Sequence, residues 1–337
     1  MASGTCALQV ALSAIAEKHD YRPGDEVLVP AITFIATSNI VLMLGFNPVF
    51  VDVDPYTFNM DPKEIEKHIT PKTRAIVPVH LFGLPCNMEA IMEIAKRNGL
   101  QVLEDSCETA FAKMKGQSVG SFGDAACFSQ YVAHHVVAGV GGMVTTNDAA
   151  LEVLCRSFMA HGRDSIYTRL EDDENPTSSI IERRYKFDRL GFSYRCTELE
   201  AALGLAELER WEENIGRRRS NAALLTQLLG RFEDYLQLPY IPSGYAHSFM
   251  MYAAVCKKGI DREPLLMHLE RNGIETRYLF PLLSQPIYQK IFPGMIDKYP
   301  VAKHLEKHGF FVGIHQGLTA VDVKFIADTV SSYFGGH

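Results

Sequence analysis

The sequence predicts an α/β fold in which helices cover both faces of a mostly parallel sheet, with a smaller α+β domain at the C-terminal end. Short apolar runs alternate with helical patterns through the first half of the chain, which is typical of strand–helix–strand units. The apolar runs are continuous, as expected for strands buried on both faces. The 337 residues exceed the usual size of one domain. We therefore expect a large domain over residues 1–212 and a small one over residues 213–337.

The large domain begins with a predicted helix over residues 6–16, which follows the capping sequence Ser3-Gly4-Thr5. Strands and helices then alternate along the chain. The predicted strands cover residues 26–30, 48–53, 75–80, 101–105, 124–129 and 142–146. The predicted helices cover residues 33–43, 62–68, 88–98 and 148–160, and Gly99 ends the third of them.

The second half of the chain begins with a long polar segment, residues 162–188, whose lack of periodicity indicates a functional or mobile loop. Residues 197–229 are strongly helical in pattern and predict a long helix that bridges the two domains. Thr197 and Glu200 are spaced as its capping box. The small domain is predicted from a strand over residues 248–256, a helix over 261–272 and a closing helix over 320–334 capped by Thr319.

Composition excludes several classes of function. The net charge of −7 and the absence of a long Lys/Arg run argue against a nucleic-acid partner. The seven cysteines are scattered without a Cys-x-x-Cys pair, which favours reduced thiols and offers no framework for a metal. No signal peptide and no apolar run of membrane-spanning length is present. We therefore expect a soluble cytoplasmic protein without a metal or a membrane partner.

A small set of residues is chemically suggestive. His134 and His135 lie in a polar turn between two predicted strands, where they mark either a site or an ordinary turn. Ser3-Gly4-Thr5 before a helix suits a phosphate, or is a plain N-cap. Asp105 ends a strand, where open α/β sheets bind ligands, and either pairs with a ring nitrogen or is an ordinary polar strand end.

Ser129 and His134 follow a later strand and face the same crevice if the sheet is doubly wound. Phe34 either lies flat against an aromatic ligand or packs in the core. A phosphate cradle, a flat aromatic side chain, a carboxylate for a pyridine nitrogen and a polar turn near the reactive carbon together describe a pyridoxal phosphate pocket.

Several landmarks of the chain are similar to those of a known family and occur in the same order. They are Ser3-Gly-Thr-Cys-Ala-Leu8, Gly24-Asp-Glu-Val-Leu-Val-Pro30, Thr33-Phe-Ile-Ala-Thr37, Phe50-Val-Asp-Val53, Val79-His-Leu-Phe-Gly83, Glu104-Asp105, His161-Gly-Arg-Asp164, Gly191-Phe-Ser-Tyr-Arg195, Glu200-Ala-Ala-Leu-Gly-Leu205, Pro281-Leu-Leu283 and Gly313-Ile-His-Gln-Gly-Leu-Thr319. At these residues the chain resembles the DegT/StrS family of nucleotide-sugar aminotransferases. The resemblance implies the fold type I architecture of pyridoxal-phosphate-dependent transferases.

The resemblance also implies roles for individual residues. Gly4, Thr5 and Ser129 match the cofactor-phosphate contacts. Phe34 matches the ring-stacking position, and Asp105 matches the partner of the pyridine nitrogen. Further cofactor contacts are expected from Glu108 and Ser193, and substrate contacts from His247, Arg277 and Tyr278. Ser193 and Arg195 resemble the turn that reaches across a subunit interface, so a homodimer with shared active sites is implied.

Four departures from the family pattern bear on the reaction. The Schiff-base lysine of the family lies five residues after the equivalent of Ser129, and that position holds His134. Glu108 stands where the aminotransferases have Gln, and Ser193 stands where they have Asn. The family also has a few dozen residues before the phosphate turn; this sequence does not include them, which leaves open a trimmed chain or an altered entrance to the site.

A histidine at the lysine position cannot anchor the cofactor covalently, but it titrates near neutral pH and can still move protons. The sequence Ala133-His134-His135 resembles the branch that removes the C3 hydroxyl of 4-keto-6-deoxy nucleotide sugars with pyridoxamine phosphate. The leading hypothesis is therefore a 3-dehydratase that uses pyridoxal or pyridoxamine 5'-phosphate, with His134 as base.

Two alternatives to the 3-dehydratase remain open. One is a nucleotide-sugar aminotransferase of the same family, with glutamate as a candidate amino donor. The other is a non-catalytic descendant that binds the cofactor or a sugar nucleotide. Candidate contacts for the substrate's phosphates are Arg163, Arg183, Arg184 and Arg277, and the sequence does not choose between GDP, dTDP, UDP and CDP.

Overall fold

The computed structural model describes residues 1–163 and 185–335. Its strands, in chain order, are β1 (Glu26–Pro30), β2 (Asn47–Val51), β3 (Thr73–Ile76), β4 (Gln101–Asp105), β5 (Lys113–Met114), β6 (Gln117–Ser118), β7 (Ala125–Ser129), β8 (Gly142–Thr145), β9 (Leu236–Gln237), β10 (Tyr245–Ala246), β11 (Met251–Cys256), β12 (Thr276–Tyr278) and β13 (Gly309–Gly313). Its helices are α1 (Gly4–Lys18), α2 (Ile35–Met43), α3 (Pro62–Ile65), α4 (Met88–Asn98), α5 (Ala149–Met159), α6 (Glu198–Leu208), α7 (Trp211–Leu229), α8 (Arg262–Arg271), α9 (Pro286–Ile291), α10 (Pro300–His308) and α11 (Ala320–Phe334).

The large sheet has six strands in the order β2-β1-β3-β4-β7-β8. The pairings from β2 to β7 are parallel, and β8 runs antiparallel to β7 at one edge. Helix α1 packs on β7 and β8, and its buried face includes Leu8, Leu12 and Ile15. The carboxyl ends of β4 and β7 and the N-terminus of α1 therefore lie close together, at the edge where such sheets bind ligands. The prediction of a mostly parallel, helix-covered sheet is confirmed.

The C-terminal part forms a second, antiparallel sheet in the order β12-β13-β11-β9. Helices α7, α8 and α11 pack on this sheet around a core that includes Leu225, Tyr252 and Leu265. The segment around α9 belongs elsewhere, since Leu283 and Tyr288 are fully buried in the same core as residues of α1. A smaller α+β unit is thus present, and its boundary after residue 212 stays a prediction.

Some predicted elements differ in extent from the observed ones. The long helix over residues 197–229 is two helices, because the backbone turns at Arg210, where φ is −112° and ψ is 8°. Strand β3 ends at Ile76, and Pro78 explains the shortening, since proline has no N–H for a sheet ladder. Strand β11 begins only at Met251, because Phe249 has a positive φ of 48°.

Local cap signals were predicted accurately. Thr197 and Glu200 form the expected capping box of α6, and Gly99 ends α4 in the left-handed conformation with a φ of 65°. Thr319 caps α11 as predicted. The small sheet β10-β5-β6 was not predicted. In the part of the chain that the structure describes, no helix has the length and apolarity needed to cross a bilayer.

Candidate active site

A cavity of about 370 Å³ lies where α1, β4 and β7 converge. It brings together residues from distant parts of the sequence. The predicted site residues that line it are Gly4, Thr5, Phe34, Asp105, Glu108, Ser129 and His134. None of the lining side chains is a lysine.

The floor of the cavity is the first turn of α1. Ser3 caps this helix by accepting a hydrogen bond from the Cys6 N–H at 3.1 Å. The Gly4 and Thr5 N–H groups have no hydrogen-bond partner among the described residues, as is usual for the first turn of a helix. Two unpaired N–H groups at the positive end of a helix form a binding site for an anion.

Glycines make this floor possible, because the chain segments around it approach very closely. A Cβ on Gly4 would lie 2.8 Å from the Ser129 Cβ and 2.9 Å from the Cys107 Sγ. A Cβ on Gly142 would lie 2.2 Å from the Ser3 carbonyl oxygen. The strand β8 therefore supports the first turn of α1 directly, and side chains at these positions would separate the two.

Asp105 is held in one orientation at the end of β4. Its side chain is 4% exposed. Oδ2 accepts a hydrogen bond from the Thr37 hydroxyl at 2.7 Å, and Oδ1 accepts one from the Cys107 N–H at 3.1 Å. The Thr37 hydroxyl itself contacts the hydroxyl of Thr33, which precedes α2, at 2.8 Å. A buried carboxylate fixed in this way is suited to stabilise a protonated ring nitrogen.

Phe34 lines the same cavity from the N-cap of α2. Its side chain is 55% exposed, which is unusual for a phenylalanine and rules out the core-packing alternative. Its ring packs edge-to-face on Phe280, with 6.1 Å between the ring centroids. An exposed aromatic face beside a buried carboxylate suits a planar aromatic ligand.

His134 is oriented by the backbone. Its Nδ1 contacts the carbonyl oxygen of Cys107. A carbonyl only accepts, so Nδ1 carries the hydrogen, and Nε2 of the neutral ring has a free lone pair. Burial lowers the pKa of His134, although the Cys107 hydrogen bond and the charge of Asp105 act in the opposite direction. The side chain is thus a neutral base at physiological pH.

Glu108 lies next to Asp105 in the cavity wall and is 6% exposed. Burial raises its pKa to about 8, even though Oε2 accepts a hydrogen bond from the Phe82 N–H at 3.1 Å. At neutral pH the carboxyl group is mostly protonated and can donate a hydrogen bond. A glutamine at this position would also present both a donor and an acceptor. The protonated Glu108 therefore keeps the hydrogen-bonding capacity that a glutamine would have here.

The remaining predicted site residues lie outside this cavity. His247 is buried behind it, where Nδ1 accepts a hydrogen bond from the Phe249 N–H at 2.8 Å and burial lowers its pKa to about 3. Arg277 and Tyr278 line a second cavity that adjoins the first. Ser193 pairs with Ala160 in an isolated bridge. The roles assigned to these four residues stay predictions.

The candidate phosphate contacts are only partly described. Arg163 lies within the described residues, over the ring of Phe187 at 5.9 Å. Arg183 and Arg184 lie outside the described residues.

Sequence reasoning missed several parts of the site. Cys107 contributes its carbonyl group to His134, and Thr37 contributes its hydroxyl to Asp105. A signal existed for Thr37, because Thr33 and Thr37 are four residues apart and so share one face of the helix predicted over residues 33–43. No sequence pattern predicts that a backbone carbonyl group will bind a side chain, since every residue has a carbonyl group.

These residues fit pyridoxal phosphate. The unpaired N–H groups of Gly4 and Thr5 suit its phosphate, the open face of Phe34 suits its ring, and the fixed carboxylate of Asp105 suits its ring nitrogen. Burial also raises the pKa of the Cys107 thiol, so this cysteine is protonated and is not a nucleophile that would compete for the cofactor.

Comparisons with known proteins agree with this assignment of the cofactor. A family model described as the DegT/DnrJ/EryC1/StrS aminotransferase family matches residues 1–331. GDP-perosamine synthase of Caulobacter vibrioides is 37% identical over 324 residues, which are 95% of this chain and 81% of that protein. A UDP-N-acetyl-3-dehydro-alpha-D-glucosamine 3-aminotransferase of Acidithiobacillus ferrooxidans is 39% identical, over 98% of this chain and 82% of that protein.

A solved structure is similar over nearly the whole chain. It is an E. coli GDP-4-keto-6-deoxy-D-mannose-3-dehydratase with bound hydrated PLP, which superposes with a TM-score of 0.86 at 26% identity. The match covers 98% of this chain and 86% of that chain.

Proposed function

The chain belongs to the DegT/DnrJ/EryC1/StrS aminotransferase family, and on that premise we propose that it converts a nucleotide-linked keto sugar. Membership of the family confirms the expected fold type I architecture and the dependence on pyridoxal phosphate. The protein is an enzyme of nucleotide-sugar chemistry at this coarser level. The proposal concerns the reaction and the part that His134 plays in it.

Two outcomes are compatible with the cavity, and different observations favour each. The names of the relatives, a perosamine synthase and a sugar 3-aminotransferase, favour transfer of an amino group. They support the aminotransferase alternative better than the 3-dehydratase hypothesis. The observation that favours C3 dehydration is His134 in a cavity that no described lysine lines. We therefore place the aminotransferase first and the 3-dehydratase second.

The chain's own residues perform three tasks in either reaction. When bound, the cofactor supplies an electron sink for bonds broken at the attached substrate carbon. Gly4, Thr5 and Ser129 hold its phosphate, and Asp105 maintains the charge on its ring nitrogen. His134 takes up a proton at Nε2 and returns it, while the Cys107 carbonyl holds Nδ1–H in place.

The imidazole at position 134 has a cost for cofactor retention. A lysine at this position would hold the cofactor by a covalent bond, and His134 does not form one. The cofactor is then held only by hydrogen bonds, stacking and charge, so we expect it to exchange with free cofactor in solution. This behaviour is the same for both proposed reactions.

Borohydride reduction tests the role of His134 directly. The reduced, denatured protein should carry no covalently attached cofactor, whereas a His134→Lys variant should carry one equivalent. A trapped lysine adduct in the wild-type protein would refute the assignment of His134. A His134→Asn variant, which cannot act as a base, should bind the cofactor with similar affinity and lose turnover.

Incubation with glutamate and a 4-keto-6-deoxy nucleotide sugar distinguishes the reactions. An amino sugar that retains its 3-hydroxyl supports the aminotransferase, and a 3-deoxy sugar supports the dehydratase. If neither product forms while cofactor and nucleotide sugar both bind, the chain is a non-catalytic binding protein. Mass spectrometry of the nucleotide sugar reads out all three.

We also propose a homodimer, because α6 exposes several large apolar side chains. Leu199 is 77% exposed, Leu203 55% and Leu205 64%. Exposed apolar side chains grouped on one element are typical of a subunit interface. In sedimentation analysis the wild-type protein should be a dimer and Leu203→Asp should be largely monomeric. A wild-type protein that sediments as a monomer would contradict the proposal.

A further inference from the structure

Arg218, on α7, is a buried cation whose charge nothing in the described chain neutralises. Its side chain is only 4% exposed. Nη1 donates hydrogen bonds to the carbonyl oxygens of Phe249 and Met250, at 3.2 Å and 3.0 Å. No carboxylate of the described residues forms an ion pair with it, and Nε and Nη2 have no acceptor there. A buried charge without a counter-ion is unfavourable, which points to an anionic ligand.

The guanidinium remains charged at neutral pH despite its surroundings. Burial lowers the pKa of Arg218 to about 10. Burial is the main cause of the lowered pKa values of His134, His135 and His315, and the positive charge of Arg218 lowers these pKa values further. Arg218 is therefore close enough to the proposed base to influence it electrostatically.

Arg218 lines a cavity of about 880 Å³ that adjoins the cofactor cavity. The two cavities share wall residues Ala133, Met250, Met251 and Phe280. The cofactor cavity, at about 370 Å³, lies at the small end of the usual range for ligand pockets. Once the first cavity holds the cofactor, the second cavity, lined by Arg218, offers adjoining space for a larger co-substrate.

His315 provides a second donor in the same cavity. Its Nδ1 accepts a hydrogen bond from the Gly317 N–H at 3.2 Å, so the neutral ring carries its hydrogen on Nε2. The acidic residues at this cavity are already engaged. Glu275 pairs with Arg277, and Asp322 accepts a hydrogen bond from the Thr319 N–H at 2.7 Å.

We propose that Arg218 and His315 form an anion subsite that binds phosphate or carboxylate oxygens of the co-substrate. Two sources supply such oxygens: the diphosphate of the nucleotide sugar, or a carboxylate of the amino donor. The planar fork of arginine binds either one through paired hydrogen bonds. The identity of the ligand rests on the proposed function, whereas the position of the subsite rests on the buried, unpaired guanidinium of Arg218.

The test compares anion binding between variants of one helix. Arg218→Gln removes the buried charge and retains a donor for the Phe249 and Met250 carbonyl groups. Arg218→Lys retains the charge and loses the fork. Arg217→Gln is the matched control, because Arg217 is the adjacent arginine, is exposed and pairs with Glu213. Calorimetric titration of the cofactor-loaded protein uses GDP, UDP, dTDP, inorganic pyrophosphate and glutamate, each at one fixed ionic strength.

We expect Arg218→Gln to weaken the tightest-binding anion by about 10- to 100-fold, as for loss of a charged hydrogen bond. Arg218→Lys should give a smaller loss, and Arg217→Gln none. A selective loss for nucleoside diphosphates assigns the subsite to the diphosphate. A selective loss for glutamate assigns it to the donor. Titration by NMR should also show a higher His134 pKa in Arg218→Gln.

The outcomes separate the two proposals. If wild type binds neither nucleoside diphosphates nor glutamate, the proposed function fails. If wild type binds them and folded Arg218→Gln binds them equally well, the anion subsite is refuted and Arg218 only supports the backbone that precedes β11. If Arg218→Gln does not fold, Arg218→Lys decides: an affinity equal to that of wild type overturns the requirement for the arginine fork.

Discussion

Replacing Gly4 with alanine tests the floor of the active site. The added Cβ would lie 2.8 Å from the Ser129 Cβ, 2.9 Å from the Cys107 Sγ and 3.2 Å from the Ser129 Oγ. The cysteine sulfur can rotate away, but the Ser129 Cβ is fixed to the backbone of β7. Either α1 or the end of β7 must therefore shift.

The size of the effect follows from two opposing terms. Overpacking of this kind costs about 1–3 kcal/mol. Alanine restricts the unfolded chain more than glycine does, which raises the free energy of unfolding by about 0.4–1 kcal/mol. The free energy of unfolding should thus fall by roughly 1–2 kcal/mol. Displacement of Ser129 from the cofactor phosphate should in addition weaken cofactor binding by about 10- to 100-fold.

Gly216→Ala is the matched control, because Gly216 lies inside α7 and its added Cβ would meet no atom within 4 Å. It should raise the free energy of unfolding by about 0.4–1 kcal/mol and leave cofactor affinity unchanged. Urea denaturation and fluorescence titration with pyridoxal phosphate measure the two quantities. If Gly4→Ala matched wild type in both, the close approach of α1 and β7 would not support the site as described.

Three further predictions concern single side chains. Glu104→Gln should lower the free energy of unfolding by ~3–5 kcal/mol, measured by urea denaturation at neutral pH. Each oxygen of the Glu104 carboxylate accepts two hydrogen bonds, one of them from His80, so the NH2 group of a glutamine would face hydrogen-bond donors. Burial alone would raise the pKa of Glu104, but the hydrogen bond from His80 helps to lower it below 4.5. The stabilisation by the carboxylate is therefore present above pH 4.5, and the difference in unfolding free energy between wild type and Glu104→Gln should shrink as the pH falls through the lowered pKa. A difference that stays constant with pH would contradict this prediction. The acidic limb of kcat/KM should lie below pH 6.5, because burial lowers the pKa of His134 and its base form is lost only in more acidic solution; a limb above pH 6.5 would count against His134 as the base. Phe34→Ala should weaken cofactor binding by about 10-fold in fluorescence titration with little change in melting temperature, since the exposed ring makes few core contacts, and a large loss of stability would instead indicate a packing role.

The sequence alone predicted the architecture of the large domain because strand and helix patterns are local. Continuous apolar runs identified β1, β4 and β7, and glycine and threonine caps located the ends of α4, α6 and α11. The order of family landmarks also predicted that His134 occupies the lysine position, since a register count needs no coordinates. Helix breaks were missed, because the turn at Arg210 has no proline or glycine to announce it.

The sequence also named most of the cavity, but it did not separate residues that line it from residues that lie behind it. His134 and His135 are neighbours in the chain, yet the first faces the cofactor cavity and the second is 3% exposed, with Nε2 on the carbonyl of Ser248 at 3.2 Å. His247 was expected at the sugar site, and the structure places it in the interior. Exposure depends on chain segments more than a hundred residues apart.

By itself the sequence predicted the family and the cofactor, which the comparisons confirm, and the replacement of a lysine by His134, which stays a prediction. Each depends on residue identity and order. Only the tertiary structure decided which nitrogen of His134 is free, which groups hold Asp105 and where Arg218 carries its unpaired charge. These depend on hydrogen-bond partners, burial and counter-charges that are supplied by distant parts of the chain. Such terms arise when the chain is folded, and no local pattern encodes them.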